Sequence, residues 1–215
     1  GFKIAMRDLD IRGAGDLLGA DQSGFINDIG FDTYQKILNE AIEELKSDKF
    51  QELFEDEKEQ FYVKDCQLDP DLEILIPDTY VSNITERLNL YKELNNFTKE
   101  EEITAFIERL NDRFGVVPDA INNVCDTLRL RWFAKQIGFE RIILKNDRMR
   151  AYFPAKSDSP YYNSDAFQKA LDYLKYNFGT CEITEKKGKL YMQIENIKSL
   201  KDALVVCENL TNYQK

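Results

Sequence analysis

"RIILKNDRMRAYF" occupies residues 141–153. Two short apolar-rich runs flank Asn146-Asp147, and both of those residues tolerate the left-handed backbone of a tight turn. The stretch therefore reads as a β-hairpin. Forty residues on, "CEITE", "KKGK" and "KLYMQIE" (residues 181–195) repeat the design as a second hairpin. Between the two, Ser164 opens a helix carrying Phe167, Leu171, Leu174 and Phe178, which stops at Gly179. After the second hairpin, Ser199 caps a last helix. Hairpins alternating with helices predict an α+β fold whose sheet is mostly antiparallel.

Upstream of residue 141 the same alternation holds. "VKDCQLD" (63–69) and "LEILIP" (72–77) read as short extended segments, the second ended by Pro77. Ser82 is placed to cap a helix running to about Asn95. Thr98 and Glu101 form a capping-box pair for a helix ending at Phe114–Gly115. Pro118 begins a further helix, through Leu128 and Trp132, closed by Gly138. Farther back, "KSDKFQELFEDEKEQFYVKD" (46–65) is acidic and weakly periodic. The expected organisation is a head at 1–50, a linker at 51–62 and an α+β body at 63–215. The acidic run Glu55–Glu59 reads as a solvated helix face.

Composition narrows the function classes. No apolar run approaches the roughly 20 residues of a membrane helix, and the first residues hold Asp8, Asp10 and Asp16 where a signal peptide is apolar. The chain starts Gly-Phe-Lys-Ile, which reads as the middle of a longer polypeptide, and a cytoplasmic setting is expected. A net charge of −10 argues against a broad nucleic-acid footprint, since such binding is mostly phosphate neutralisation by Lys and Arg. Any DNA contact must be local. With no histidine, His-based triads and most zinc sites are excluded. Cys66, Cys125, Cys181 and Cys207 lack a Cys-x-x-Cys pairing and read as buried thiols rather than metal ligands.

The head is different in kind. Six of the ten glycines fall within the first 30 residues, most of them in "RDLDIRGAGDLLGADQSGF" (7–25). Beyond it, Phe31, Tyr34, Ile37, Leu38, Ala41, Ile42 and Leu45 recur at helical spacing behind Asp32 as cap. Gly13, Gly15 and Gly19 resemble a relaxed dinucleotide loop, which would make the chain an NADP-dependent oxidoreductase. A buried strand should then precede the loop, yet Lys3, Arg7, Asp8, Asp10 and Arg12 make that segment highly charged. The stretch also reads as glycine-permitted turns whose arginines pair with Asp8, Asp10 and Asp16. A third reading is a ligand-contacting loop: Ser23-Gly24 after Gln22 leaves small side chains and backbone N–H groups beside a donor amide, suited to a sugar-phosphate backbone. No P-loop pattern occurs.

"FKIAMRDLDIRGAGDLLGADQSGF" (2–25) closely resembles the translocation motif shared by the RecG helicases and the transcription-repair coupling factors, bacterial DNA motors. The pattern R-D-L-x-[IL]-R-G-x-G-x-x-L-G-x-x-Q-[ST]-G is matched from Arg7 to Gly24. "DIGFDTYQKILNEAIEELK", "DLEILIPDTYVSNITERLNLYKELNN", "DRFGVVPDAINN" and "LRLRWFAKQIGFERIILKN" are similar to the coupling-factor family, so the resemblance covers essentially the whole chain. It implies that the head is a helical hairpin and loop relaying nucleotide-driven closure of two helicase lobes to double-stranded DNA. Arg12 and Gln22 match the family's coupling arginine and glutamine, with Gln22 and Ser23 as DNA contacts. Gly13, Gly15, Gly19 and Gly24 would be the joints. Arg7 does not match the family's third arginine, which lies upstream.

The body, by the same resemblance, is regulatory. It would dock on a UvrB-like N-terminal module of the parent protein and mask the surface that recruits UvrA until RNA polymerase is engaged. ATP and magnesium would bind in the parent's helicase lobes, leaving this part without a cofactor and without catalysis. "LRLRWF" (128–133) invites reading as an Arg-aromatic anchor, but Leu128, Trp132 and Lys135 are spaced as a helix face and favour core packing for Trp132. A remaining alternative is an acidic adaptor whose first 45 residues form a dimerising arm.

Overall fold

The computed structural model of the chain describes residues 62–71, 74–156 and 158–212. They fall into two compact units, one taking in Ile74–Val124 and the other 62–71 with 125–212.

The first unit is built on α1 (Ile84–Leu94), α2 (Glu100–Phe114) and the start of α3 (Asp119–Ile137), within which the division falls. Both helix starts lie one residue beyond the expected ones. Asn83, not Ser82, caps α1, its side-chain oxygen accepting the Glu86 N–H at 3.0 Å. The Ser82 carbonyl instead accepts from the buried Arg87 guanidinium at 3.2 Å, as the Val81 carbonyl does at 2.7 Å. At α2, Glu102 rather than Glu101 reaches back, accepting the N–H groups of Thr98 and Lys99 at 2.7 and 2.8 Å. Three consecutive glutamates leave the start locally ambiguous. The full burial of Ile103, Phe106 and Leu110 sets the helix phase and with it the choice of Glu102.

Gly115 closes α2 at φ +86°, as expected. The segment expected to be extended at 72–77 belongs to no strand over its described residues. Ile74 and Ile76 are buried alternately, and the Ile76 N–H donates to the Tyr91 hydroxyl at 2.8 Å. A side chain thus supplies the partner that a neighbouring strand would.

The second unit holds a mixed five-stranded sheet in the order β1-β2-β3-β5-β4. Its strands are β1 (Gln67–Pro70), β2 (Arg141–Lys145), β3 (Arg148–Tyr152), β4 (Cys181–Lys186) and β5 (Lys189–Glu195). The α+β reading holds. β2–β3 and β4–β5 are the two expected hairpins. Each turns on residues of positive φ, Asn146 and Asp147 at 55° and 56°, Lys187 and Gly188 at 54° and 71°, the condition for a turn matching strand twist. β1 departs from the antiparallel pattern by running parallel to β2, Gln67 opposite Arg141, which its long crossover connection permits.

Ile142, Leu144, Met149, Ala151, Met192 and Ile194 line the buried sheet face, and the buried residues of α4 (Asp165–Tyr176) and α5 (Leu200–Asn212) add to this core. Ser164 caps α4 and Ser199 caps α5, accepting the N–H groups of Phe167 and Asp202. Phe178, expected on the apolar face of α4, is 89% exposed. The helix ends at Tyr176, Asn177 caps it, and Gly179 at φ +104° turns the chain, so Phe178 falls beyond the helical phase.

Candidate docking and coupling surfaces

Arg12, Gln22, Ser23, Gly13, Gly15, Gly19 and Gly24 lie outside the described residues, as do the neighbouring Arg7 and the acidic run Glu55–Glu59. The described chemistry belongs to the body, and it is that of a surface.

The two arginines of "LRLRWF" are held by carboxylates of the chain itself. Arg131, only 11% exposed in its side chain, forks onto Asp65 through Nη2–Oδ2 at 2.5 Å and Nε–Oδ1 at 3.2 Å. A guanidinium fixed in such a planar fork is committed to the fold. Arg129 bonds Asp126 one helical turn back at 2.7 Å. Trp132 is half-buried, while Leu128, Leu130 and Ala134 are buried fully or nearly so. The stretch thus packs its own unit. Nothing in the residue string marks Asp65 as the partner, because the pair spans 66 residues.

In the first unit, charged side chains pair between two helices. Arg113 of α2 reaches Glu86 of α1 at 2.5 Å, and Arg109 pairs with Glu93. Arg113 also lies over the Phe114 ring at 4.9 Å. Glu86, Glu93 and Arg113, with Asn83 and Asn89, line an open groove of about 560 Å³. These ion pairs are a third to a half exposed. Exposed pairs of this kind contribute little to stability.

In the second unit the sheet's outer face is polar. Arg148 pairs with Glu195 at 2.7 Å, and Arg150 donates to Gln193 at 2.8 Å. Gln193 in turn donates to Glu182 and Glu195, both at 3.0 Å. Charges of opposite sign are interleaved on this face and linked by hydrogen bonds.

All four cysteines are buried thiols. Burial pushes the Cys181 thiol up to about 11 and Cys207 to about 12, and raises Cys66 as well. Thiols held neutral in this way are neither nucleophiles nor ready metal ligands. Among the described residues no cluster of three or more Cys, Asp or Glu could hold a metal ion, and no helix is long and apolar enough to cross a membrane.

Against known proteins, residues 71–164 match the TRCF domain model. The chain is 35% identical to the transcription-repair-coupling factor of Bacillus subtilis over 173 residues, 80% of this chain and 14% of that protein. The Rickettsia prowazekii factor is 30% identical over 208 residues, 97% of this chain and 17% of its own length. The Escherichia coli factor is 34% identical over 142 residues, 66% of this chain and 12% of its own. The chain therefore spans less than a fifth of the length of these curated relatives. Among solved structures, the C-terminal domain of a transcription-repair coupling factor has the same fold. Its TM-score is 0.57 at 20% identity, over 68% of this chain and 91% of that one. By its TRCF domain and by relatives matched along most of its residues, the chain belongs to the transcription-repair coupling factor family.

Proposed function

We propose that this chain is the coupling and regulatory part of an ATP-driven DNA translocase that displaces stalled RNA polymerase and recruits nucleotide-excision repair in the cytoplasm. The reading is carried by the extent of the similarity. Alignments to family members span 97% of the chain, and so take in nearly all of the glycine-rich head as well as the TRCF domain.

In this reading residues 1–50 transmit movement rather than generate it. Arg12 ties the head to the helicase lobes through its always-charged fork. Gln22 and Ser23 follow the backbone of double-stranded DNA, and Gly13, Gly15, Gly19 and Gly24 serve as joints. ATP and magnesium bind in the parent's lobes, and this part performs no chemistry of its own. The body docks on the parent's UvrB-like module and masks its UvrA-binding surface, a two-state equilibrium that polymerase engagement biases. The half-exposed ion pairs of α1 and α2 support that role, since a polar surface can open without exposing a core.

Arg12→Ala in the complete protein should keep basal ATP hydrolysis and lose displacement of stalled polymerase; full displacement by this variant overturns the coupling role. Truncation after residue 50 should raise ATP turnover and strengthen UvrA binding. Unchanged values overturn the masking role.

A further inference from the structure

Among the described residues β4 is the last strand of the sheet, bonded on one side to β5. The Glu195 N–H donates to the Thr180 carbonyl at 2.9 Å, which fixes the parity of the pair. Glu182, Thr184 and Lys186 turn their backbone groups toward β5, and Cys181, Ile183 and Glu185 turn theirs away. The Cys181 N–H is taken up by the Asn177 carbonyl at 3.0 Å. No described residue meets the outward N–H and C=O groups of Ile183 and Glu185. An edge of this kind is a template for another strand.

We propose that β4 is the seam of a two-fold symmetric dimer, in which two copies of this chain join edge to edge into one continuous sheet. The occupant follows from the strand's own side chains. Outward-facing residues must pair with outward-facing residues. That leaves a short list of antiparallel self-registers. One sets Glu185 against the partner's Glu185, a like-charge contact. Another sets Glu182 against the partner's Thr184, leaving Glu182 and Lys186 without complementary partners in the other strand. The third places Ile183 opposite the partner's Glu185, exchanging about four backbone hydrogen bonds in total.

In the third register Thr184 meets the partner's Thr184, and Glu182 meets the partner's Lys186, twice by symmetry. These are non-hydrogen-bonded positions, where side chains approach most closely, and Thr–Thr and opposite-charge pairs are favoured there. A surface that complements itself under a two-fold rotation is what an isologous interface requires. Just before β4, Tyr176 and Phe178 are 75% and 89% exposed, apolar area on the approach to the same edge for a second copy to cover.

The test is sedimentation equilibrium on the 215-residue chain, wild type against Glu182→Lys and Lys186→Glu. The wild type should show a concentration-dependent dimer, weakened by salt. Each single reversal places like charges at both contacts and should lower the association constant by at least about tenfold. An equimolar mixture of the two variants restores both opposite-charge contacts and should dimerise like the wild type. The mixture also reports folding, since misfolded variants would not complement each other. A monomeric wild type overturns the proposal and leaves the edge to a strand of another protein. A dimer indifferent to both reversals also overturns it, as do variants that keep the wild-type circular dichroism and urea midpoint yet fail to complement.

Discussion

Replacing Gly138 with alanine should be among the most damaging single-methyl additions available in this fold. Gly138 ends α3 at φ +94°, where an added Cβ would lie 2.8 Å from Tyr161 Cδ2 and 2.9 Å from its Cζ, with Cε2 nearer still. The ring cannot retreat. Tyr161 is fully buried, its hydroxyl donates to the Ile137 carbonyl at 2.9 Å, and Phe153, Tyr162 and Phe167 pack around it. The left-handed backbone costs alanine about 1–2 kcal/mol, and overpacking a closed core adds about 1–3. Together Gly138→Ala should destabilise by about 2–5 kcal/mol. Gly179 is the control: it has φ +104°, but nothing lies within 4 Å of its added Cβ, so Gly179→Ala should cost the backbone term alone. Urea unfolding with an unchanged slope measures both. In a Tyr161→Leu background, Gly138→Ala should fall to the Gly179 value, because the cycle removes the clash. Equal costs for the two glycines, within about 0.5 kcal/mol, would refute the steric argument.

Three further outcomes follow from the buried and capping groups. Tyr91→Phe removes the acceptor of the buried Ile76 N–H and should cost about 1–3 kcal/mol by urea unfolding. The Glu102 carboxyl is held below its ordinary 4.5 by the N–H groups of Thr98 and Lys99. The stability it confers is therefore present above that pH and disappears as the pH drops through the folded value; an NMR titration of Glu102 should show the low midpoint, and Glu102→Gln should abolish the associated pH dependence. Cys207, pushed up from 9.0 to about 12 by burial, should resist a thiol reagent at neutral pH until the chain unfolds. Its contribution to stability is full below pH 9 and should decline as the pH rises toward 12, where only the unfolded thiol ionises at first.

Most element types and their order were legible from residues 63–215 because their causes are local; the exception is 72–77, which belongs to no strand over its described residues. Asn146-Asp147 and Lys187-Gly188 accept positive φ, Ser164 and Ser199 offer cap oxygens, and Gly115 and Gly138 end their helices. Positions decided by competition among neighbours were less legible. Ser82 and Asn83 are both good caps, and Glu101 and Glu102 both reach back; burial of Ile103, Phe106 and Leu110 chose between the glutamates. Phe178 keeps the apolar spacing of the helix but lies past the point where Asn177 and Gly179 stop it, so its exposure is not written in the spacing.

By itself, the sequence determined two hairpins, their flanking helices and the motif that carries the family resemblance, because short-range backbone preference and residue order are written along the chain. Only the tertiary structure decided that β1 joins the sheet in parallel, that Asp65 takes the guanidinium of Arg131, and that β4 is the edge. Those outcomes depend on which distant segments meet, and contacts across tens of residues are settled by packing of the whole unit, to which no local pattern gives access.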